Sequence, residues 1–218
     1  MERTMQSRIK VRKAFTGEHA LQYDRKSSEA NWLDPDIIFG LAFRYVSKGD
    51  SILDLGIGSG LASVLFYQSG LQVHGLDFSS EMLAVCEKKN FACSLREHDL
   101  GLAPYPFKDS SINHAVCTGV THIFEDLDTI FSETGRILKQ DGTFGFVVAD
   151  GDVLEPDTQA LSCQKNKNSR VRFHRHSQAT LNELYHKNGF EQLNSLSFTS
   201  SAIGRMKRTF KACIVRKK

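Results

Sequence analysis

Ile52-Leu53-Asp54-Leu55-Gly56-Ile57-Gly58-Ser59-Gly60 is the stretch that decides the fold. Ser51 to Leu55 is an apolar run of strand length, Gly56 to Gly60 is a tight glycine-rich turn, and Leu61 to Gln68 reads as a helix that Gly70 ends. A strand that runs through glycines into a helix sets backbone N–H groups at the carboxyl edge of a parallel sheet. Ligands of open α/β folds bind there, beside a helix N-terminus that favours anionic groups. Glycine is needed because a side chain would fill the space through which ligand and backbone approach. The pattern is not the dinucleotide fingerprint, which requires glycine at position 61, where this chain has Leu61. Asp54 inside the strand end points the same way, because a carboxylate there suits a ligand ammonium group.

Outward from this stretch the chain keeps one rhythm. Upstream, Asp34-Pro35 opens a helix whose apolar positions Ile37, Ile38, Leu41, Ala42, Tyr45 and Val46 recur at helical spacing. Downstream, Leu71 to Leu76 reads as a strand with Asp77 at its carboxyl end, and Ser79 or Ser80 caps a helix to about Lys89. Phe91 to Glu97 is a third strand and Ile112 to Cys117 a fourth. Leu127, Ile130, Phe131, Thr134, Ile137 and Leu138 form one helical stripe, Asp141-Gly142 ends that helix, and Thr143 to Ala149 is a strand apolar on both faces. Alternation with short loops demands parallel strands and right-handed crossovers. After Asp150 the rhythm breaks: Ser177 caps a helix to Lys187, and Phe190 to Phe198 with Thr209 to Val215 predict a terminal hairpin. One domain follows: an amino-terminal flap (1–33), a cofactor-binding core (34–150), and a lid, last helix and hairpin (151–218).

Composition narrows the class. Over 218 residues, 40% hydrophobic content and four prolines describe an ordinary globular chain. No run of about 18 uncharged apolar residues exists, so no membrane span is expected, and the basic start Arg8, Lys10, Arg12, Lys13 lacks the apolar core of a secretory signal. A cytoplasmic protein is expected. Cys86, Cys93, Cys117, Cys163 and Cys213 show neither metal-site nor paired spacing and read as reduced thiols, with no metal implied. Net charge is only +3, but no acid lies between Asp157 and Glu183, while Lys165, Lys167, Arg170, Arg172 and Arg175 do. That tract suits an anionic acceptor. With Phe173 its only aromatic, it does not make a base-stacking surface, which argues against nucleic acid.

Asp77 stands where a carboxylate accepts hydrogen bonds from both hydroxyls of a ribose. Phe78 beside it can pack on a base, and Asp99 with the Leu100 N–H can receive an adenine amino group. These residues together resemble the class I S-adenosylmethionine-dependent methyltransferase family over about residues 50–150. The likeness rests on Leu53 to Gly60, Gly75-Leu76-Asp77-Phe78-Ser79-Ser80-Glu81-Met82-Leu83, His98-Asp99-Leu100 and Leu138 to Phe144, in that order and spacing.

The resemblance implies a Rossmann-like, doubly wound α/β sheet of seven strands, mostly parallel with an antiparallel last strand. It implies S-adenosyl-L-methionine as cofactor, with Asp54, Gly56, Gly58 and Gly60 at its methionine end. Asp77, Phe78 and Met82 would lie at the ribose and base, Asp99 and Leu100 at the adenine, and Thr118 near the sulfonium. Cys117 to Ile123 is not the Asn/Asp-Pro-Pro-Tyr type of motif. The stretch Thr118 to His122 is similar instead to the small-molecule branch, quinone-biosynthesis-like enzymes included. Methyl transfer needs alignment above all, so a general base is optional; His122 is the candidate, against a role as cofactor wall. Tyr23 and Trp32 can close the flap. The competing readings are a methyltransferase acting on protein or RNA and a non-catalytic S-adenosylmethionine-binding protein.

Overall fold

A computed structural model of the chain describes residues 18–153, 161–162, 170–171, 173–201 and 207–218. Lys165, Lys167, Arg172, Cys163 and residues 1–17 lie outside them, as does the side chain of Arg170.

β1 (Ser51–Leu55) is hydrogen-bonded on both sides, to β2 (Gln72–Asp77) and to β4 (Ile112–Cys117), all parallel. A strand enclosed this way has no solvent face, and Ile52 to Leu55 are all buried. β3 (Ser94–Glu97) extends the sheet beyond β2, and β5 (Leu138–Ala149) lies beside β4. A two-residue pair, β6 (Leu161–Ser162) and β7 (Arg170–Val171), stands apart. β8 (Phe190–Ser201) and β9 (Lys207–Lys217) form the terminal hairpin, with β9 inserted antiparallel against β5. The seven-stranded order is β3-β2-β1-β4-β5-β9-β8. This is the mostly parallel, doubly wound sheet that the sequence predicts, with its last strand antiparallel.

Helices cover both faces. On one lie α2 (Asp34–Ala42), α3 (Ser63–Gln68) and α4 (Ser80–Glu87), where Ile38, Phe66 and Cys86 pack under Ile52, Val73 and Val147. On the other lie α5 (Asp128–Ile137) and α6 (Gln178–Lys187), where Phe131, Leu181 and Leu184 meet Leu53, Phe144 and Phe146. Phe131 is fully buried, with the rings of Phe146 at 5.2 Å and Phe144 at 5.4 Å. Truncating it to alanine should cost about 3–5 kcal/mol, the usual range for a buried aromatic.

Three expectations shift. The flap contains a helix, α1 (Glu18–Glu29), which the thin apolar pattern did not signal; it docks on α4 with Ala20 buried. β3 begins at Ser94, because Phe91 packs sideways: a Cβ on Gly60 would lie 2.5 Å from its Cζ. β5 begins at Leu138, not after Gly142; its pairing to β4 shifts register between Leu138 and Thr143, where Asp141 takes a left-handed φ of 63°.

Candidate active site

The order of strands reverses between β1 and β4, and open α/β sheets bind ligands in the crevice at such a switch point. The crevice is built from the glycine turn. Gly56 and Ile57 donate their N–H groups to the Leu76 carbonyl at 2.8 and 3.0 Å, and Gly58 donates to Asp77 Oδ2 at 2.8 Å. The turn is thereby pinned to the carboxyl end of β2. Gly75 makes this possible, because a Cβ there would stand 2.6 Å from Ile57 Cδ1. Gly58 has φ 53°, and a Cβ on it would sit 3.2 Å from Met82 Cε and 3.9 Å from Asp77 Oδ2.

Two buried aspartates attend the turn. Asp77, 5% exposed, lines the crevice, and its Oδ1 accepts the Ser79 N–H at 2.9 Å. Burial pushes its carboxyl up to about 6, against the pull of the Ser79, Gly58 and Phe78 N–H groups. Asp54 lies under the turn at 1% exposure; its Oδ2 accepts the Ser63 hydroxyl at 2.6 Å, while Oδ1 has no partner among the described residues. Burial pushes this carboxyl up to about 7.

The resulting pocket is partly open to solvent. Gly56, Gly58, Asp77, Phe78, Met82 and Thr118, singled out from the sequence, are all in its wall. The wall also holds Ile57, Leu61 and Ala62, which the sequence reading did not single out, and Gly119, Val120 and Ile123 from the segment after β4 that the resemblance sets beside the cofactor. They flank the motif glycines and the end of β4, so position after a strand end was the available signal. Tyr23 and Trp32 close the pocket from the flap side, with ring centroids 6.4 Å apart and nearly perpendicular. α1 is fastened down by Asp24, which accepts the buried Ser59 hydroxyl at 2.5 Å and pairs with Lys89 at 2.5 Å.

Other predicted residues fall elsewhere. Gly60 backs onto Phe91 and Cys86. Leu100 is buried in the sheet core, and Asp99 Oδ1 accepts the Gly101 N–H at 2.8 Å in its own turn. His122 stacks on Phe173, centroids 4.7 Å apart, and is absent from the pocket wall. Burial first, then Arg208, His176 and His174, push its imidazole down to about 4. Arg175, from the basic tract, donates to the Asp150 carbonyl at 2.8 and 2.5 Å and to that of Val153 at 2.7 Å. It thus serves the fold next to β5. Among the described residues no group of histidine, cysteine and acid side chains could hold a metal, and no helix is long and apolar enough to cross a membrane.

Comparison with known proteins agrees with this geometry. Residues 53–146 match the family described as Methyltransferase domain. The chain is 28% identical over 124 residues to an uncharacterized methyltransferase, YcgJ, of Bacillus subtilis, covering 56% of this chain and 47% of that protein. It is 30% identical over 116 residues to the malonyl-[acyl-carrier protein] O-methyltransferase of Pectobacterium atrosepticum, covering 53% of this chain and 45% of that one. The chain thus spans about half the length of these curated relatives. Among solved structures, a chain from the complex between the Haloferax volcanii Trm112 methyltransferase activator and a methyltransferase superposes with a TM-score of 0.72. It has 22% identity and covers 94% of this chain and 96% of that one, a likeness of fold.

Proposed function

We propose, from the premise that this chain carries a class I S-adenosylmethionine-dependent methyltransferase domain, that it transfers a methyl group to a small-molecule acceptor. The observation that carries the reading is the buried, unpartnered Oδ1 of Asp54 beneath a glycine turn at the switch point. A carboxylate oxygen enclosed without a partner is costly, and an ammonium group delivered to the turn would relieve that cost. Asp77 suits the two hydroxyls of a ribose, because it lines the pocket and its oxygens keep lone pairs beyond the Gly58 and Ser79 bonds. Phe78 and Met82 offer apolar surface to a base on the same side. These residues fit S-adenosylmethionine, which when bound supplies a methyl group already activated on a sulfonium.

The remaining task of the chain is alignment and exclusion of water, which together can supply most of a methyl-transfer rate enhancement. Thr118, Gly119 and Val120 follow β4 and line the same pocket, Val120 packed against Gly56 of the glycine turn and Gly119 against the Trp32 ring. The Pectobacterium relative is named as an O-methyltransferase of malonyl-[acyl-carrier protein], a small acyl group borne on a carrier protein. The cations from 165 to 172 would favour an anionic acceptor, while Arg175 is occupied by backbone carbonyls. A cytoplasmic setting accords with the buried, unbridged thiols of Cys86, Cys117 and Cys213.

The test is calorimetric titration with S-adenosylmethionine, S-adenosylhomocysteine and NAD. Binding of the first two and not the third is expected; binding of NAD alone would sink the proposal.

A further inference from the structure

After β4 the chain makes one short turn of 3-10 helix, Thr121–Ile123. Ile123 and, just before the turn, Val120 line the pocket. Val120 stands so near the glycine turn that a Cβ on Gly56 would collide with its Cγ2, and a Cβ on Gly119 would lie 3.1 Å from Trp32 Cζ2. The path of the chain through this turn therefore sets how one pocket wall stands against both the glycine turn and the flap. So short a 3-10 run is poorly fixed by its own hydrogen bonds, and it is held by contacts from outside.

One comes from the sheet: the Thr121 hydroxyl, 1% exposed, donates to the Val147 carbonyl of β5 at 2.5 Å. The others come from residues 173–176. The His174 N–H donates to the His122 carbonyl at 2.8 Å, and the Phe173 ring stacks on the His122 imidazole with centroids 4.7 Å apart. This segment is itself anchored at the end of β5. The His176 N–H donates to the Ala149 carbonyl and the Gly151 N–H to the His176 carbonyl, both at 3.0 Å. The approach requires glycine, since a Cβ on Gly151 would lie 2.7 Å from the His176 carbonyl carbon. Arg175 clasps the Asp150 and Val153 carbonyls beside it. From β9, the Arg208 guanidinium lies over the Phe173 ring, and the Phe210 ring meets it nearly at right angles with centroids 6.3 Å apart.

We propose that Phe173 is a positioning residue for the transfer pocket: stacked on His122 and backed by β9, it braces from outside the turn that carries Ile123 in the wall. This rests on the methyltransferase reading for its purpose and on the contacts around the turn for its geometry. Phe173 is half-buried, so the sheet core does not depend on it. The brace gives the segment that follows the basic tract a role at the site, although none of residues 173–176 lines the pocket.

The test is methyl NMR of the full chain without ligand, with isoleucine δ1-methyl groups labelled, because methyl order parameters report fast local motion. Phe173→Ala should lower the order parameter of Ile123, while Ile57, on the glycine-turn side of the same pocket, keeps its value. Phe173→Tyr, which retains a ring for the stack, should resemble the wild type. Affinity for S-adenosylhomocysteine, measured by calorimetry, should be nearly unchanged in Phe173→Ala, because the bond from Gly58 to Asp77 is untouched. An unaltered Ile123 methyl in Phe173→Ala overturns the proposal, as does an equal loss of order at Ile57, a marked loss of that affinity, or a Phe173→Tyr protein that behaves like Phe173→Ala. If Phe173→Ala does not fold, Phe173→Leu, which keeps apolar bulk without the stack, takes its place. A wild-type protein that binds no S-adenosylhomocysteine would instead strike the methyltransferase reading and leave the brace standing.

Discussion

The backbone N–H of Gly58 donates to Asp77 Oδ2 at 2.8 Å, so the residue that shapes the glycine turn is held by the residue we propose to bind a ribose. Asp77→Ala should therefore harm cofactor binding twice, by removing acceptors and by releasing the turn. Hydrogen bonds to charged groups contribute roughly 1.5–3 kcal/mol, so a loss of about that size is expected by calorimetry with S-adenosylhomocysteine. Asp77→Asn keeps one oxygen and should lose less. Equal affinity in wild type and Asp77→Ala would falsify the ribose assignment.

The pH dependence of binding should carry the mark of Asp54. Its folded carboxyl is raised to about 7, so from about pH 4 to 7 the folded protein retains a proton that the unfolded chain has released. Stability from this group therefore falls as pH rises through that window, and the penalty is complete above it. A bound ammonium reverses the balance by favouring the ionised form, so cofactor affinity should rise with pH over the same range. Asp54→Asn should flatten both trends and make the ligand-free protein more stable at alkaline pH. The gain would be at most a few kcal/mol, since one pKa unit corresponds to about 1.4 kcal/mol. Thermal melts of the two proteins across pH, with and without cofactor, measure it; parallel curves would remove Asp54 from the site.

The core of this fold is legible in the sequence because each strand there is enclosed on both sides and is buried along its length, as Phe144–Ala149 and, with Asp54 its one polar residue, Ile52–Leu55 are. The motif glycines are legible because close approach and left-handed backbone leave no alternative, as at Gly58. What escaped obeys a different physics. α1 shows a weak apolar stripe because it is held by polar latches, Asp24 to Ser59 and Lys89, that have no periodicity. The Leu33 N–H and the Ser200 hydroxyl oxygen meet across 167 residues through a side-chain hydrogen bond that no local pattern encodes.

Asp24 offers a kinetic test of the flap. Ser59 is 1% exposed, and Asp24→Ala leaves its hydroxyl without that acceptor while also freeing Lys89. The lost hydrogen bond should be worth about 1 kcal/mol, enough to loosen α1 from the glycine turn without unfolding the sheet. Stopped-flow measurements should show faster release of S-adenosylhomocysteine with a nearly unchanged melting temperature. The Lys89 pair is partly exposed, so raising salt on the wild type should reproduce part of the effect. Identical release rates would leave α1 a covering helix and no more.

His122 separates alignment from general-base catalysis. The residue follows β4, where a base beside the methyl group could stand, but its ring lies flat on Phe173 with the planes 24° apart. Arg208 also lies over the Phe173 ring, its guanidinium carbon 4.2 Å from the centroid. Burial and this cation hold the imidazole near 4, so it is neutral at physiological pH and a poor proton acceptor, far from the value that serves a base there. A histidine depressed in the folded state gives stability that is present above its unfolded value near 6.5 and lost as pH falls towards 4. His122→Phe should thus retain the stack, keep cofactor affinity, and reduce acid sensitivity. If alignment governs the reaction, the rate with an identified acceptor should fall by less than the 10²–10⁴-fold that general-base loss typically costs. A fall within that range, at unchanged cofactor affinity and melting temperature, would mean that the imidazole reaches the acceptor and takes its proton.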